Sequence, residues 1–191
     1  MKNSKKLKDT LSGKNREEMP NIAFQIMTAL MKLMDVLGNY SSKNFKTLDL
    51  KPGQTVIDYG CGPARYIRNA SNTVGELGKV IAVDIHPLAI KKVKEKITKF
   101  KLINVEAVLA EGYNTPIADE TADVVYALDM FHMIKQPKEF LIELSRLLKK
   151  EGKIIIEDGH QTRSETIQKI ENSGVLNIIN ETKYNVECMK N

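Results

Sequence analysis

The chain has 191 residues, 42% of them hydrophobic and 28% charged, which suits one ordinary domain with a real core and excludes a disordered chain. Its two cysteines, Cys61 and Cys188, exclude a disulfide-built scaffold and cannot make a zinc site alone, so no metal is expected. The net charge of +5 is local: residues 1 to 16 carry six lysines and arginines against one aspartate, and the remainder balances.

Residues 1–18 read as a basic, flexible tail. Such an arm can bind nucleic acid or anionic lipid, but this one lacks interleaved aromatics, so a solvated tail is the reading and a nucleic-acid partner is not expected. No apolar core of a signal peptide follows it, and no run is long enough to span a bilayer, which makes a cytoplasmic protein the default. Residues 19–47 read as a helical cap. The helix starts near Pro20, with Ile22, Ile26, Ala29, Leu30, Leu33 and Leu37 at helical spacing. Phe24, Met27, Met31 and Met34 widen that stripe, while Gln25, Thr28, Lys32 and Asp35 leave a narrow polar ridge. A helix this apolar should be largely covered, either packed on the core or laid as a lid over a pocket. Gly38, Asn39 and Ser41-Ser42 end it.

Residues 48–191 read as the main domain. Thr55 to Asp58 form a short buried strand, Gly60-Cys61-Gly62 a tight loop, and a helix runs from about Ala64 towards Asn72. The second strand is Lys79 to Asp84, and Pro87 opens the next helix. Asn104 to Leu109 is the third strand, and Ala122 to Leu128 is an apolar run of the kind buried on both faces of a parallel sheet. Pro137 starts a helix with Lys149-Lys150 at its end and Gly152 as its breaker. Lys153 to Glu157 is the fifth strand, a helix runs from Arg163 to about Asn172, and Leu176–Glu181 and Tyr184–Met189 close the chain as a strand pair. Alternation of this kind predicts an α/β, doubly wound, mostly parallel seven-stranded sheet with an N-terminal helical extension and a C-terminal strand pair.

A strand running into Gly-x-Gly and then a helix brings backbone close to a nucleotide-like ligand, because a Cβ there would block the approach. Asp58, two residues before Gly60, decides between ligands. A carboxylate there repels a dinucleotide pyrophosphate by on the order of several kcal/mol at a partly buried site. It attracts S-adenosyl-L-methionine, which has no phosphate and carries a sulfonium and an ammonium. Asp84 ends the second strand 24 positions after Gly60, where an acid suits a ribose diol or caps the next helix.

These motifs together resemble the class I S-adenosylmethionine-dependent methyltransferases, and most closely the small-molecule branch similar to quinone-biosynthesis methyltransferases. D-Y-G-C-G-P-A is similar to the family's glycine loop, V-I-A-V-D to its second strand, and A-D-V-V-Y-A-L-D-M-F-H-M-I to its fourth strand and exit. E-L-S-R-L-L-K-K-E-G-K-I-I-I-E-D is similar to the stretch into the fifth strand. Ala64 stands where a third glycine is usual. By position, the resemblance implies that Asp58 organises the methionine end while Gly60 and Gly62 let backbone approach it. It implies that Asp84 holds the ribose hydroxyls and that Ile85 lies against adenine. Glu111 either receives the adenine amino group, beside the small Gly112, or is a solvated loop acid. Asp129 either sits beside the methionine moiety or caps the turn after the fourth strand.

Methyl transfer is a displacement at an activated carbon, so alignment and exclusion of water supply most of the acceleration, and a base is needed only for an acceptor that keeps its proton. His132 and His160 follow the carboxyl ends of the fourth and fifth strands. Either is a candidate base, His160 preferred because Asp158 is near in sequence; both are also readable as packing or surface histidines. His86 belongs to the start of the helix after the second strand. The Asp129-Met130-Phe131-His132 run argues against exocyclic-amine methylation of bases, and the two cysteines argue against thiol-rich arsenite chemistry and against a cysteine nucleophile. A small-molecule acceptor remains, with a binding module that does not methylate, a nicotinamide-dependent oxidoreductase and an RNA-directed methyltransferase as alternatives.

Overall fold

A computed structural model describes residues 19–38 and 45–191. The basic tail and the helix stop at Asn39 and Ser41-Ser42 lie outside these residues. The elements are α1 (Asn21–Gly38), β1 (Thr55–Tyr59), α2 (Ile67–Val74), β2 (Lys79–Asp84), α3 (Pro87–Phe100), β3 (Val105–Leu109), β4 (Ala122–Ala127), α4 (Pro137–Leu147), β5 (Leu148–Glu157), α5 (Arg163–Ser173), β6 (Leu176–Glu181) and β7 (Asn185–Lys190).

The strands form one seven-stranded sheet of order β3-β2-β1-β4-β5-β7-β6, as expected of a doubly wound domain. β1 pairs in parallel with β2 on one side and β4 on the other, and β7 alone runs against the direction of the other described strands. The apolar runs of β1, β4 and the end of β5 are covered on both faces, so alternate residues fall into two cores. One contains Ile57, Val125, Ile154, Phe140 and Leu144, and the other Val56, Val124, Ile155, Ile67 and Val93. The chain leaves β1 towards β2 and β3 and returns past it to β4. That reversal opens a crevice at the carboxyl ends of β1 and β4, where ligands bind in sheets of this kind.

Local signals account for most element boundaries. Pro87 occupies the first turn of α3, and Thr162 with Glu165 forms a capping box at the start of α5. Beyond shifts of one residue at strand ends, three features differ from the sequence reading. α2 begins at Ile67, not near Ala64, because Ala64 has a left-handed backbone (φ +60°) that a right-handed helix cannot contain. β5 begins at Leu148, so Lys149–Gly152 lie within the strand; Leu148 pairs with Ala122, and the register shifts before Val124.

The third difference is the orientation of α1. The face that packs is Phe24, Met27, Thr28 and Met31, while Ile22, Ile26, Leu30 and Leu33 are at least half exposed. Thr28 falls on the polar ridge of the sequence pattern, yet it is buried, because its Oγ1 donates to the Phe24 carbonyl at 2.8 Å and needs no water.

Candidate active site

The floor of the crevice is the β1–α2 loop. Gly60 and Cys61 both donate their backbone N–H to the Val83 carbonyl, at 2.8 and 3.0 Å, which pins the loop to β2. Gly60 and Gly62 both adopt positive φ, and a Cβ on Gly60 would lie 2.9 Å from the Met130 side chain. The loop thus requires glycine for its conformation and for its close approach to the exit of β4.

Two carboxylates face this loop. Asp84 accepts from the Gly62 N–H through one oxygen and from the His86 N–H through the other, each at 2.8 Å. Each oxygen keeps lone-pair capacity for a further donor such as a ribose hydroxyl. Asp58 is 2% exposed, and its Oδ2 is buried with no hydrogen-bond donor among the described residues. No described lysine or arginine forms an ion pair with it. Burial, and secondly the nearby Asp84 charge, push its pKa up to about 8, against smaller opposing effects of Tyr126 and Lys96. A buried carboxyl without a counter-ion, at the base of a cavity, fits a cationic ligand and not a pyrophosphate.

α1 and the Met19 that precedes it roof the cavity: Met19, Phe24, Met27 and Met31 line it together with Asp58, Gly60, Gly62, Asp84, Ile85 and Asp129. Three contacts tie this roof to the floor. The Phe24 ring stacks on His86 with centroids 4.5 Å apart. His86 caps α3 by accepting the Leu88 N–H at its Nδ1, so its Nε2 carries the proton and donates to the Met19 carbonyl at 3.0 Å. Arg65, in the loop before α2, grips both carboxylate oxygens of Asp35. Arg65, Tyr113 and the packing face of α1 are site residues that the sequence reading missed or left unassigned. Arg65 carries no signal of its own. Tyr113 does follow Gly112, and it is fixed there because its carbonyl accepts the Tyr59 hydroxyl at 2.6 Å.

The predicted residues divide. Gly112 lines the cavity beside Tyr113. Glu111 is exposed and is not among the lining residues; its backbone forms a tight bridge with Asn114 at 3.0 and 3.1 Å. Asp129 lines the cavity with a left-handed backbone (φ +52°) that turns the chain sharply out of β4. His132 and His160 are not among the residues that line the cavity; they meet beside Asp129, which does line it, their ring centroids 4.9 Å apart and nearly perpendicular. The carboxylate that His160 faces is Asp129, at 3.9 Å, and not Asp158, which is held by Arg163 at 2.9 to 3.0 Å. Asp158 therefore gives no reason to prefer His160 as a base: neighbours in sequence diverge where the strand ends and Gly159 turns the chain at positive φ. Cys61 and Cys188 are buried, and burial pushes both thiol pKa values up, that of Cys188 to about 12.

A sequence model of a methyltransferase domain matches residues 50–190. The chain belongs to the methyltransferase-domain family. An arsenite methyltransferase of Halobacterium salinarum is 34% identical over 113 residues, covering 59% of this chain and 29% of that protein. A demethylmenaquinone methyltransferase of Bacillus cereus is 28% identical over 116 residues, 61% of this chain and 49% of that protein, so the chain spans half or less of the length of these curated relatives. A crystal structure of a SAM-dependent methyltransferase from Aquifex aeolicus superposes with a TM-score of 0.65 at 29% identity, over 78% of this chain and 87% of that one. The resemblance read from the glycine loop and the strand exits is thus confirmed at the level of family and fold, and S-adenosylmethionine is the cofactor that the family implies. No described helix is long and apolar enough to cross a membrane.

Proposed function

We propose that this methyltransferase domain transfers a methyl group from S-adenosyl-L-methionine to a small-molecule acceptor by direct displacement. The observation that carries this reading is Asp58: a buried carboxyl lacking a cationic partner, set against a glycine loop whose N–H groups are already engaged by Val83 and Asp84. When bound, the cofactor supplies an activated methyl on a positively charged sulfur. The residues of the chain orient it and keep water out. Asp58 faces the cationic methionine end, Asp84 the ribose hydroxyls, Ile85 and Gly112 the adenine, and Asp129 the side from which the acceptor enters. Glu111, exposed and absent from the cavity lining, is assigned no contact with the cofactor. The roof of α1 leaves a cavity walled by Met27, Met31, Met130 and Met133, side chains able to adapt to an apolar acceptor.

His132 and His160, which meet beside the cavity-lining Asp129, are the candidates for receiving a proton from the acceptor. The quinone substrate in the name of the Bacillus relative fits an apolar cavity of this kind. The arsenite of the Halobacterium relative fits less well, because both thiols here are buried and held protonated. We place the reaction in the cytoplasm and assign no nucleic-acid partner, since the basic excess is confined to residues 1 to 16.

Calorimetric titration with S-adenosylmethionine, S-adenosylhomocysteine and NAD tests the cofactor. The first two are expected to bind and NAD is not; tight NAD binding would return the fold to the oxidoreductases. Incubating the protein with methyl-labelled cofactor in a metabolite extract tests the transfer. Label is expected on a small molecule, and binding without any labelled product would leave a binding module.

A further inference from the structure

We propose that Asp129, His132 and His160 form a binding site for one divalent first-row transition-metal ion at the acceptor side of the crevice. One ligand atom from each residue lies within 4.8 Å of the other two. The fold explains why they meet. β4 and β5 are parallel neighbours, with Ala127 paired to Ile156, so their exits emerge side by side. Asp129 leaves β4 two residues past its end, and His132 follows on a single 3-10 turn, Phe131–Met133. His160 leaves β5 three residues past its end. Between the two exits Gly159, at φ +64°, packs so closely on His132 that an added Cβ would fall 2.1 Å from Nδ1. The second loop is therefore shaped around the His132 ring.

The donor set selects the class of ion. Two imidazoles and one carboxylate suit zinc, cobalt, nickel or iron(II), whereas magnesium and calcium prefer oxygen alone. An ion bonded at about 2.0–2.2 Å in tetrahedral geometry places its ligand atoms about 3.3 Å apart. The His160 Nε2 to Asp129 distance of 3.9 Å must shorten by roughly half an ångström, and any separation near the 4.8 Å limit of the set by about 1.4 Å. His160 can supply that movement, because its side chain is 71% exposed while His132 is held between the loops. Of the three histidines in the chain, the third, His86, is committed to the α3 cap, and both cysteines are buried, so no described nitrogen or sulfur set competes.

Three protein ligands leave a coordination position open, the arrangement of a reactive and not a structural site. Asp129 and its neighbours Met130 and Met133 line the cofactor cavity, so the open position borders the acceptor space. An acceptor hydroxyl or thiol bound there loses its proton to solvent and becomes the nucleophile. Its bond to the methyl carbon forms as the carbon–sulfur bond breaks, and the cofactor sulfur keeps the electron pair. The histidines then act through the ion and not as free bases. This use of the ion rests on the methyl-transfer reading; the binding of the ion does not. A single oxygen of Asp129 suffices for the ion, which leaves the other for the cofactor.

The untagged full chain, stripped with a chelator and dialysed, is titrated with Co²⁺ and followed by its visible ligand-field absorption, with S-adenosylmethionine binding measured separately by calorimetry. One Co²⁺ per chain is expected, with the intense band of a four- or five-coordinate ion. His160→Ala, an exposed substitution that spares the fold, should weaken it at least tenfold, and Asp129→Asn should also weaken it. An absorption that stays that of the hexaaqua ion, or Co²⁺ affinity unchanged in both variants, overturns the site. If cofactor binds and Co²⁺ does not, the metal inference fails and the methyltransferase reading stands. If Co²⁺ binds and the cofactor does not, the site stands and that reading fails.

Discussion

On the β1–β2 side of the crevice, the groups that face a ligand are a glycine loop pinned through its own amides, the buried Asp58 and the half-buried Asp84, which short hydrogen bonds fix. On the β4–β5 side they are two histidines and an aspartate on turns, one of them mostly exposed. The first surface is set by strand ends and glycines and has little freedom to change. The second hangs on side chains that can be exchanged without disturbing the sheet. A fold can thus keep one cofactor while its acceptor chemistry varies, because the two duties fall on walls of different stiffness.

The stiff wall should break most severely. Asp84→Ala removes two charge-assisted hydrogen bonds, to Gly62 and His86, and frees the Gly62 end of the cofactor loop, while Gly60 and Cys61 stay on the Val83 carbonyl. A loss of about 3 kcal/mol, or roughly a hundredfold in S-adenosylmethionine affinity, is expected by calorimetry. An unchanged affinity would show that the loop does not depend on this carboxylate.

Asp58 makes the same wall sensitive to pH. Its carboxyl titrates at about 8 in the ligand-free protein, and the cationic cofactor selects the ionised form. Affinity should therefore rise with pH, roughly fiftyfold between pH 6 and pH 8, with a proton released on binding below that value. The folded pKa lies above that of the unfolded chain, so ligand-free stability moves the opposite way. It falls as pH rises from the ordinary carboxylate range towards 8, where the folded chain binds the extra proton. Asp58→Asn should flatten the affinity profile; a steep profile surviving in that variant would assign the titration to another group.

The stiffness of this wall is also why it was legible. Asp58, Gly60, Gly62 and Asp84 lie at the ends of strands whose apolar runs and turn residues are local signals, so their positions follow from the chain order. The acceptor wall depends on contacts between loops more than 25 residues apart, as Asp129 and His160 are, and no spacing in the sequence announces such a meeting. α1 was misread for a related reason. Its composition is apolar nearly all round, so periodicity could not say which face the crevice would take, and the contacts of Phe24 with His86 and Asp35 with Arg65 decided it.

Asp35→Asn tests whether that roof belongs to the stiff wall or the soft one. The pair with Arg65 is bidentate and only partly exposed, which puts it above an ordinary surface ion pair. A loss of about 1 kcal/mol is expected, seen as a roughly fivefold weaker cofactor and faster amide exchange in α1. Exchanging the charges, Asp35→Arg with Arg65→Asp, should recover part of it. Slower turnover with cofactor affinity intact would instead tie the roof to the acceptor.

The smallest effect should come from Ala64→Gly, and its smallness is informative. Ala64 is fully buried and left-handed at φ +60°, where a Cβ costs about 1 kcal/mol and glycine costs nothing. Removing the buried methyl forfeits about 0.8 kcal/mol of burial, so urea unfolding should shift by less than about 0.5 kcal/mol either way. Ala64→Val meets both penalties at once, a branched side chain at positive φ and an overfilled core, and should lose about 3 kcal/mol. If valine were tolerated, the loop would not be held in the left-handed turn that delivers Gly62 to Asp84, and the rigidity assigned to this wall would have to come from the sheet alone.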